Sequence, residues 1–413
     1  MHRAPARPRR ARLRAIVCLA LVAALGLTAC DPPFPSDDGF YRPPSPLPSG
    51  QPGDVISSRA SRFTLDPLNK APVAGVSSRQ ILYRSTDALG QPMAVTGTVL
   101  VPSAPWTGPG PRPLVAYAVG TRGVGDDCAP SYTLSQGADY EGFFVKSLLD
   151  RGWAVAVSDY QGLGTPGLHT YMVGPAQGHA VLDVARAAQR LPGTGLSTST
   201  PVGLMGYSQG GGAAGWAAEM AAGYAPELRV KGSALGGVPG DLTATANFLD
   251  GSPFVAFALM AALGLDAAYP ELDLETYLNP RGQELVAGSQ ELCLVSVDGF
   301  GTLIDVAFTH IDDYVTTNPL ETPAWQARLD GTRLGRVRPS APVLQYHGLV
   351  DEIVPFGQAA ELRRTWCNRG ATVAWTALPA EHALGLVQGQ PLAVSWMGDR
   401  FVGVPALGNC LAP

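Results

Sequence analysis

Charge is scarce in this chain: Asp, Glu, Lys and Arg together make up 15% of its 413 residues. No basic patch interleaved with aromatic residues occurs, which argues against a nucleic-acid partner. The six cysteines include no CxxC spacing and the six histidines form no cluster beside them, so metal and redox centres lack a ligand set. No segment repeats. The long apolar run "AIVCLALVAALGL" is too short to cross a bilayer with ease. What is present is an apolar chain, 46% hydrophobic, long enough to bury a large core as one domain with insertions or as two domains.

The apolar run follows the basic stretch "MHRAPARPRRARLR" and precedes small residues, the pattern of an export signal. It ends in "LTAC", Leu27 to Cys30, which resembles the bacterial lipobox and implies cleavage before Cys30 and diacylation of that cysteine. Residues 1–30 are therefore expected to be a lipoprotein signal peptide. The exported protein would be held at the outer face of a membrane through an N-terminal lipid anchor, or secreted. Its loss removes six arginines and no acid, leaving 23 basic residues against 34 acidic ones. Residues 31–55 are crowded with Pro, Ser and Gly, a composition that predicts a disordered tether. With Cys18 in the signal and Cys30 lipidated, Cys128, Cys293, Cys367 and Cys410 remain. An even number in an oxidising compartment predicts two disulfides, and spacing leaves all three pairings open.

Two strand-like runs, Arg79 to Ser85 and Met93 to Val101, flank the turn signal "TDALGQP" and predict an antiparallel hairpin. Short, wholly apolar runs then end at Val119, Ser158, Tyr207 and His347, as in strands covered on both faces. Helical patterns, Tyr140 to Gly152 and Gly178 to Gly193, lie between them. This alternation predicts an α/β architecture with a mainly parallel sheet and helices on both faces. The pattern breaks from Leu242 to Arg336, a mostly helical stretch expected to form an inserted cap. The core would then comprise 56–241 and 337–413, with 242–336 as cap or lid.

Chemistry is suggested first by "LMGYSQGGGAAGW". Gly206, Ser208 and Gly210 fit the G-x-S-x-G elbow, with a strand-like run before and a helix of small residues after. A serine hydroxyl is a weak nucleophile until a base takes its proton, and that base needs an acid to fix its tautomer. Elbow-type enzymes carry these partners in the order Ser, Asp or Glu, His. Asp351, just past the run ending at His347, and His382, after the next strand, satisfy that order. Glu352 is the alternative acid, and His347 is expected to brace the loop. The oxyanion of an acyl intermediate needs two N–H donors. Gln209 supplies one by position. Thr121, in "AVGTRG", is the candidate for the other, ahead of Arg122.

Taken together, "GTRGVGDDCAPSY", "SDYQGLGTPGLHTYMVGPAQGHAVLDVARAA", "GYSQGG", "HGLVDEIVP" and "EHALG" resemble the secretory lipase family, α/β-hydrolases similar to fungal lipase A and its bacterial esterase relatives. The resemblance extends from about Ser78 to the C-terminus. It implies an α/β-hydrolase fold with a helical lid, a triad of Ser208, Asp351 and His382, and disulfides joining Cys128 to Cys293 and Cys367 to Cys410. The chain departs from many relatives in having Val119 where they place a histidine before the oxyanion-loop glycine. Asp159, in "DYQGLG", is expected to be structural. The resulting expectation is a serine carboxylester hydrolase of the lipase/esterase type, with no metal or organic cofactor implied, acting on a small-molecule or lipid ester. A serine peptidase, an acyltransferase on the same fold and a catalytically silent lipid-binding lipoprotein are the alternatives. Acyl-chain length and oligomeric state are left open.

Overall fold

A computed structural model describes residues 32–411; the export signal and Cys30 lie outside the described residues. Nine strands form one sheet. They are β1 (Val55–Ser61), β2 (Val76–Thr86), β3 (Pro92–Pro102), β4 (Leu114–Ala118), β5 (Ala154–Ser158), β6 (Pro201–Tyr207), β7 (Arg229–Gly236), β8 (Val343–Gly348) and β9 (Val373–Leu378). Their order is β1-β2-β3-β5-β4-β6-β7-β8-β9, antiparallel from β1 to β5 and parallel from β5 to β9. The expected hairpin is β2 with β3, in continuous register from Val76 opposite Pro102 to Thr86 opposite Pro92. β4, β5, β6 and β8 are buried along their whole length, which is why they read as unbroken apolar runs.

The helices, in chain order, are α1 (Pro130–Gln136), α2 (Gly142–Leu149), α3 (Gly174–Arg190), α4 (Gln209–Tyr224), α5 (Leu242–Leu249), α6 (Ala256–Ala268), α7 (Pro280–Ser289), α8 (Val297–Val306), α9 (Pro323–Gly331), α10 (Phe356–Asn368) and α11 (His382–Phe401). Gly232 and Leu235, three positions apart on β7, face opposite sides of the sheet. Leu235 meets α4 at Gly215, while the site of a side chain at Gly232 is filled by Trp396 of α11. With a parallel sheet, helices on both faces and the elbow described below, this is an α/β-hydrolase fold.

Residues 242–336 contain α5 to α9 and no strand, and supply most of two apolar clusters apart from the main core, one of which they share with Tyr171, Met172, Val173 and Ala176. Both ends of this insertion are tied down by polar side chains, half-buried Gln358 at the first and buried Glu219 at the return. Gln358 on α10 accepts from the N–H groups of Gly240 and Asp241 at 2.8 and 3.1 Å and donates to the Val238 carbonyl at 2.7 Å. At the return, Glu219 on α4 accepts from Gly335 N–H at 2.6 Å, Val337 N–H at 3.0 Å and the Trp366 indole at 2.7 Å.

The tether expectation fails from Pro32 onward. Short 3-10 turns at Pro35–Asp37 and Gly39–Tyr41 pack on the core, and Tyr41 is 0% exposed. The Tyr41 hydroxyl lies 2.9 Å from Ser131 Oγ and accepts from Gln80 Nε2 at 3.2 Å. Arg59 lies 4.3 Å above the Phe40 ring and pairs with Asp38 at 2.6 Å. Composition misleads here because three aromatics, Phe34, Phe40 and Tyr41, supply anchors, and prolines lower the entropy lost on ordering. Asp159 belongs to the same network: it is fully buried and accepts from Ser131 N–H at 2.7 Å and from the Ser131 hydroxyl.

Candidate active site

Ser208 sits between β6 and α4 with φ 58° and ψ −124°, a conformation that a non-glycine residue holds only when its surroundings enforce it. The neighbours make this turn fit. A side chain at Gly206 would strike the Gly210 backbone, and one at Gly210 would strike the Ala118 carbonyl of β4. Ser208 N–H donates to the Gly236 carbonyl of β7 at 3.0 Å, which fixes the turn against the next strand.

Two loops bring the other expected residues to it. His382 Nε2 is 2.9 Å from Ser208 Oγ, and His382 Nδ1 is 2.8 Å from Asp351 Oδ2. Asp351 Oδ1 accepts from the N–H groups of Ile353 and Val354 at 3.0 and 2.7 Å, so the carboxylate is oriented by its own turn. Burial pushes the Asp351 carboxyl up, but the His382 hydrogen bond and the adjacent imidazoles outweigh it and hold it below its usual range. His347 lies under this loop. Burial holds its imidazole below the usual histidine range, and its Nε2–H donates to the Val354 carbonyl at 2.9 Å, with Asp351 Oδ2 at 3.4 Å. Glu352 does not meet the imidazole ring: its carboxylate accepts from the His382 backbone N–H at 3.0 Å.

His382 opens α11. Glu381 caps that helix, accepting from the N–H groups of Ala383 and Leu384 at 2.7 Å each. Tyr207, the residue before the elbow serine, donates from its hydroxyl to the His382 carbonyl at 2.7 Å. Ser208 and His382 are both carried at helix N-termini, those of α4 and α11.

The loop after β4 is held by a buried charge cluster that pattern reading misses. Glu141 Oε1 accepts from Gly120 N–H at 2.8 Å, which removes that group as an oxyanion donor. Arg122 forms a two-point pair with Asp139 at 3.0 and 2.8 Å, reaches Glu141 at 3.2 Å and stacks 4.0 Å over Tyr140. Its guanidinium is therefore engaged in holding the loop. Thr121 is clamped at both ends, its carbonyl accepting from Tyr140 at 3.0 Å and its hydroxyl 2.8 Å from that of Tyr171. Gln209 opens α4, where the first N–H groups have no intrahelical partner. Its side-chain amide donates to His169 Nε2 at 3.0 Å, and His169 Nδ1–H donates to the Gln161 carbonyl at 2.7 Å. Burial lowers the His169 pKa to about 4, so this histidine is a neutral strut. A sequence signal existed for Gln209, Thr121 and Arg122; Glu141, Tyr171 and His169 join them through contacts set by the tertiary fold.

Ser208 and Gln209 open into a cavity of about 610 Å³ walled by apolar cap residues, among them Leu249, Phe257, Leu265 and Trp325. A second apolar cavity of about 910 Å³ lies beyond α6 within the cap, and Ala262 lines both. The cap is stitched to the oxyanion-side loop by the Cys128–Cys293 disulfide, by Val124 N–H to Leu292 carbonyl at 3.0 Å and by Leu294 N–H to Arg122 carbonyl at 2.8 Å. The Cys367–Cys410 disulfide joins the end of α10 to the C-terminal tail. These are the pairings that the family resemblance implied.

Residues 129–409 match the sequence profile of the family described as secretory lipase. The chain belongs to that family. Membership makes it a carboxylic ester hydrolase by descent. A secreted triacylglycerol lipase of Malassezia globosa is 30% identical over 92% of this chain and 82% of its own length. A probable inactive lipase of Mycobacterium tuberculosis is 33% identical over 91% of this chain and 84% of its own. The crystal structure of Candida antarctica lipase A in its closed state superposes with a TM-score of 0.81 at 28% identity, covering 93% of this chain and 90% of that one.

Proposed function

We propose that this secretory lipase is an exported, lipid-anchored serine carboxylester hydrolase whose nucleophile is Ser208, with acylglycerol-type esters as substrates. The observation that carries the reading is the unbroken relay of hydrogen bonds at 2.9 and 2.8 Å from Ser208 through His382 to Asp351. His382 Nε2 takes the Ser208 proton as Oγ bonds to the ester carbonyl carbon, and the carbonyl electron pair moves to oxygen. The oxyanion is met by the N–H groups of Gln209 and Thr121, each worth about 3 kcal/mol of transition-state stabilisation. Collapse breaks the ester C–O bond and His382 returns the proton to the departing alkoxide. Water, deprotonated by the same imidazole, then cleaves the acyl-enzyme and regenerates Ser208.

The apolar wall of the Ser208 cavity favours an acyl chain over a peptide as occupant, which supports esterase over peptidase chemistry. Export and anchoring rest on the signal pattern, on Cys30 and on the secreted relatives. The test is hydrolysis of an acetyl-to-palmitoyl ester series, with fluorophosphonate labelling, on the natural chain and on Ser208→Ala. Ester turnover and labelling should both vanish in the variant. Equal turnover would refute the nucleophile, faster cleavage of aminoacyl amides would favour a peptidase, and absence of labelling in the natural chain would point to a silent lipid-binding protein.

A further inference from the structure

The Thr121 N–H belongs to a peptide unit whose direction is set from its other end. The Gly120–Thr121 bond is trans, since the one cis peptide bond among the described residues joins Ser45 to Pro46. In a trans peptide the carbonyl and the N–H point in opposite directions. Arg122 Nη1 donates to the Gly120 carbonyl at 3.1 Å, so the Thr121 N–H of the same unit is turned away from the guanidinium. Its neighbours along the chain are already taken up. Gly120 N–H donates to Glu141, the Thr121 carbonyl accepts from Tyr140, and the Arg122 carbonyl accepts from Leu294 N–H of the cap. Thr121 N–H donates to no acceptor among the described residues. The loop also runs against the elbow. A side chain at Gly210 would meet the Ala118 and Val119 carbonyls, and one at Gly120 would come within 3.5 Å of the Tyr207 carbonyl.

Arg122 can aim one nitrogen at Gly120 because its other nitrogens are fixed. Nε and Nη2 both donate to Asp139, the side chain is 4% exposed, and the Tyr140 ring lies 4.0 Å from the guanidinium carbon. Burying one guanidinium among two carboxylates is a poor way to gain stability, because each charge gives up its water. What the cluster does supply is direction. A planar guanidinium holds Asp139, Glu141 and the Gly120 carbonyl at once, which a lysine ammonium on its flexible stem does not reproduce. A cation on the carbonyl oxygen also draws electron density from the amide nitrogen, and this strengthens the N–H as a donor.

We infer that Arg122 is a positioning residue for ester hydrolysis: it orients and polarises the Gly120–Thr121 peptide so that the Thr121 N–H meets the oxyanion, without itself touching the ester. The inference rests on the proposed hydrolase reading, and its test keeps the two failures apart.

The test pairs steady-state hydrolysis of p-nitrophenyl butyrate with inhibition by an alkyl trifluoromethyl ketone. In the inhibited form Ser208 Oγ bonds to the ketone carbon, His382 takes the serine proton, and the carbonyl oxygen becomes an anion like that of the transition state. Arg122→Lys should lower kcat about tenfold or more with KM within about threefold, and weaken the ketone by the same factor as kcat/KM. Arg122→Gln with Asp139→Asn removes one formal charge of each sign; it should show the same loss, and it serves if the lysine variant does not fold. Thr133→Val is the control. It deletes the 2.9 Å hydrogen bond from Thr133 to the far side of Asp139, so it should lower the melting temperature and leave kcat within about twofold. The positioning role is refuted by Arg122 variants with unchanged kcat, by a loss confined to KM, by unchanged affinity for the ketone, or by an equal kcat loss from Thr133→Val. A natural chain that neither turns over the ester nor binds the ketone would instead remove the hydrolase reading, and the positioning role with it.

Discussion

Asp351→Asn tests the orientation of His382, the proposed catalytic base, and the structure fixes which way the new amide must point. Asp351 Oδ1 receives two backbone N–H groups, from Ile353 and Val354 at 3.0 and 2.7 Å. An NH2 group placed there would face two donors, so the amide oxygen must take that position. The NH2 group then occupies the Oδ2 position, 2.8 Å from His382 Nδ1, and donates to it. This holds His382 in the Nε2–H tautomer, which presents a proton to Ser208 Oγ instead of a lone pair. Losing the base in this way costs about 10⁴-fold in kcat, roughly 5.5 kcal/mol. The KM should change little, because the apolar cavity is untouched. The assay is steady-state hydrolysis of a soluble p-nitrophenyl ester, beside a thermal melt to confirm folding. Glu352→Gln is the internal control: its carboxylate accepts from the His382 backbone N–H and not from the ring, and a loss within about tenfold is expected. A kcat for Asp351→Asn within tenfold of the natural enzyme, or a larger loss from Glu352→Gln, would refute the assignment.

Two further outcomes follow from the buried polar contacts. Tyr41→Ala should lower the unfolding free energy by about 3–5 kcal/mol, because the ring is fully buried and its hydroxyl meets Ser131 and Gln80; an unchanged urea midpoint would mean that residues 32–54 do not hold to the core. His169, lowered by burial to about 4 from 6.5, binds its proton later in the folded state than in the unfolded one. Its stabilising contribution is therefore present above pH 6.5 and is lost as pH falls toward 4, by about 3 kcal/mol in all. His169→Gln should flatten that acid limb of the melting-temperature profile, and parallel profiles for the two proteins would contradict it.

The parts of the fold most legible in sequence were those whose residues face apolar surroundings on both sides or obey a turn rule. β4, β5, β6 and β8 read as apolar runs, and Gly206, Ser208 and Gly210 read as an elbow because the turn geometry excludes larger side chains. β7 escaped notice for the opposite reason. "RVKGSALG" is built from small residues because its neighbours are large: Trp396 fills the space at Gly232, and Tyr346 and Tyr207 fill it at Gly236. A strand that yields its volume to adjacent aromatics loses the β-branched signature by which strands are recognised. Much of the candidate site was legible because Ser208, Asp351 and His382 each follow a strand in an order that can be read along the chain. The supports were not. Glu141 reaches Gly120, and Tyr171 reaches Thr121, only after 21 and 50 residues of chain have folded. The N-terminal segment was misjudged because its average composition conceals three well-placed aromatics.

The stitching of the cap has a mechanical consequence. The insertion is fastened at both ends, through Gln358 and Glu219, and again at the oxyanion-side loop, through the Cys128–Cys293 disulfide and the backbone bonds around it. A door latched opposite its hinge cannot swing. Under the proposed function, esters would then enter through movement of individual helices between the fastenings. Those stretches can vary in sequence without disturbing Ser208, His382 and Asp351, so the esters admitted can change while the proposed triad stays the same.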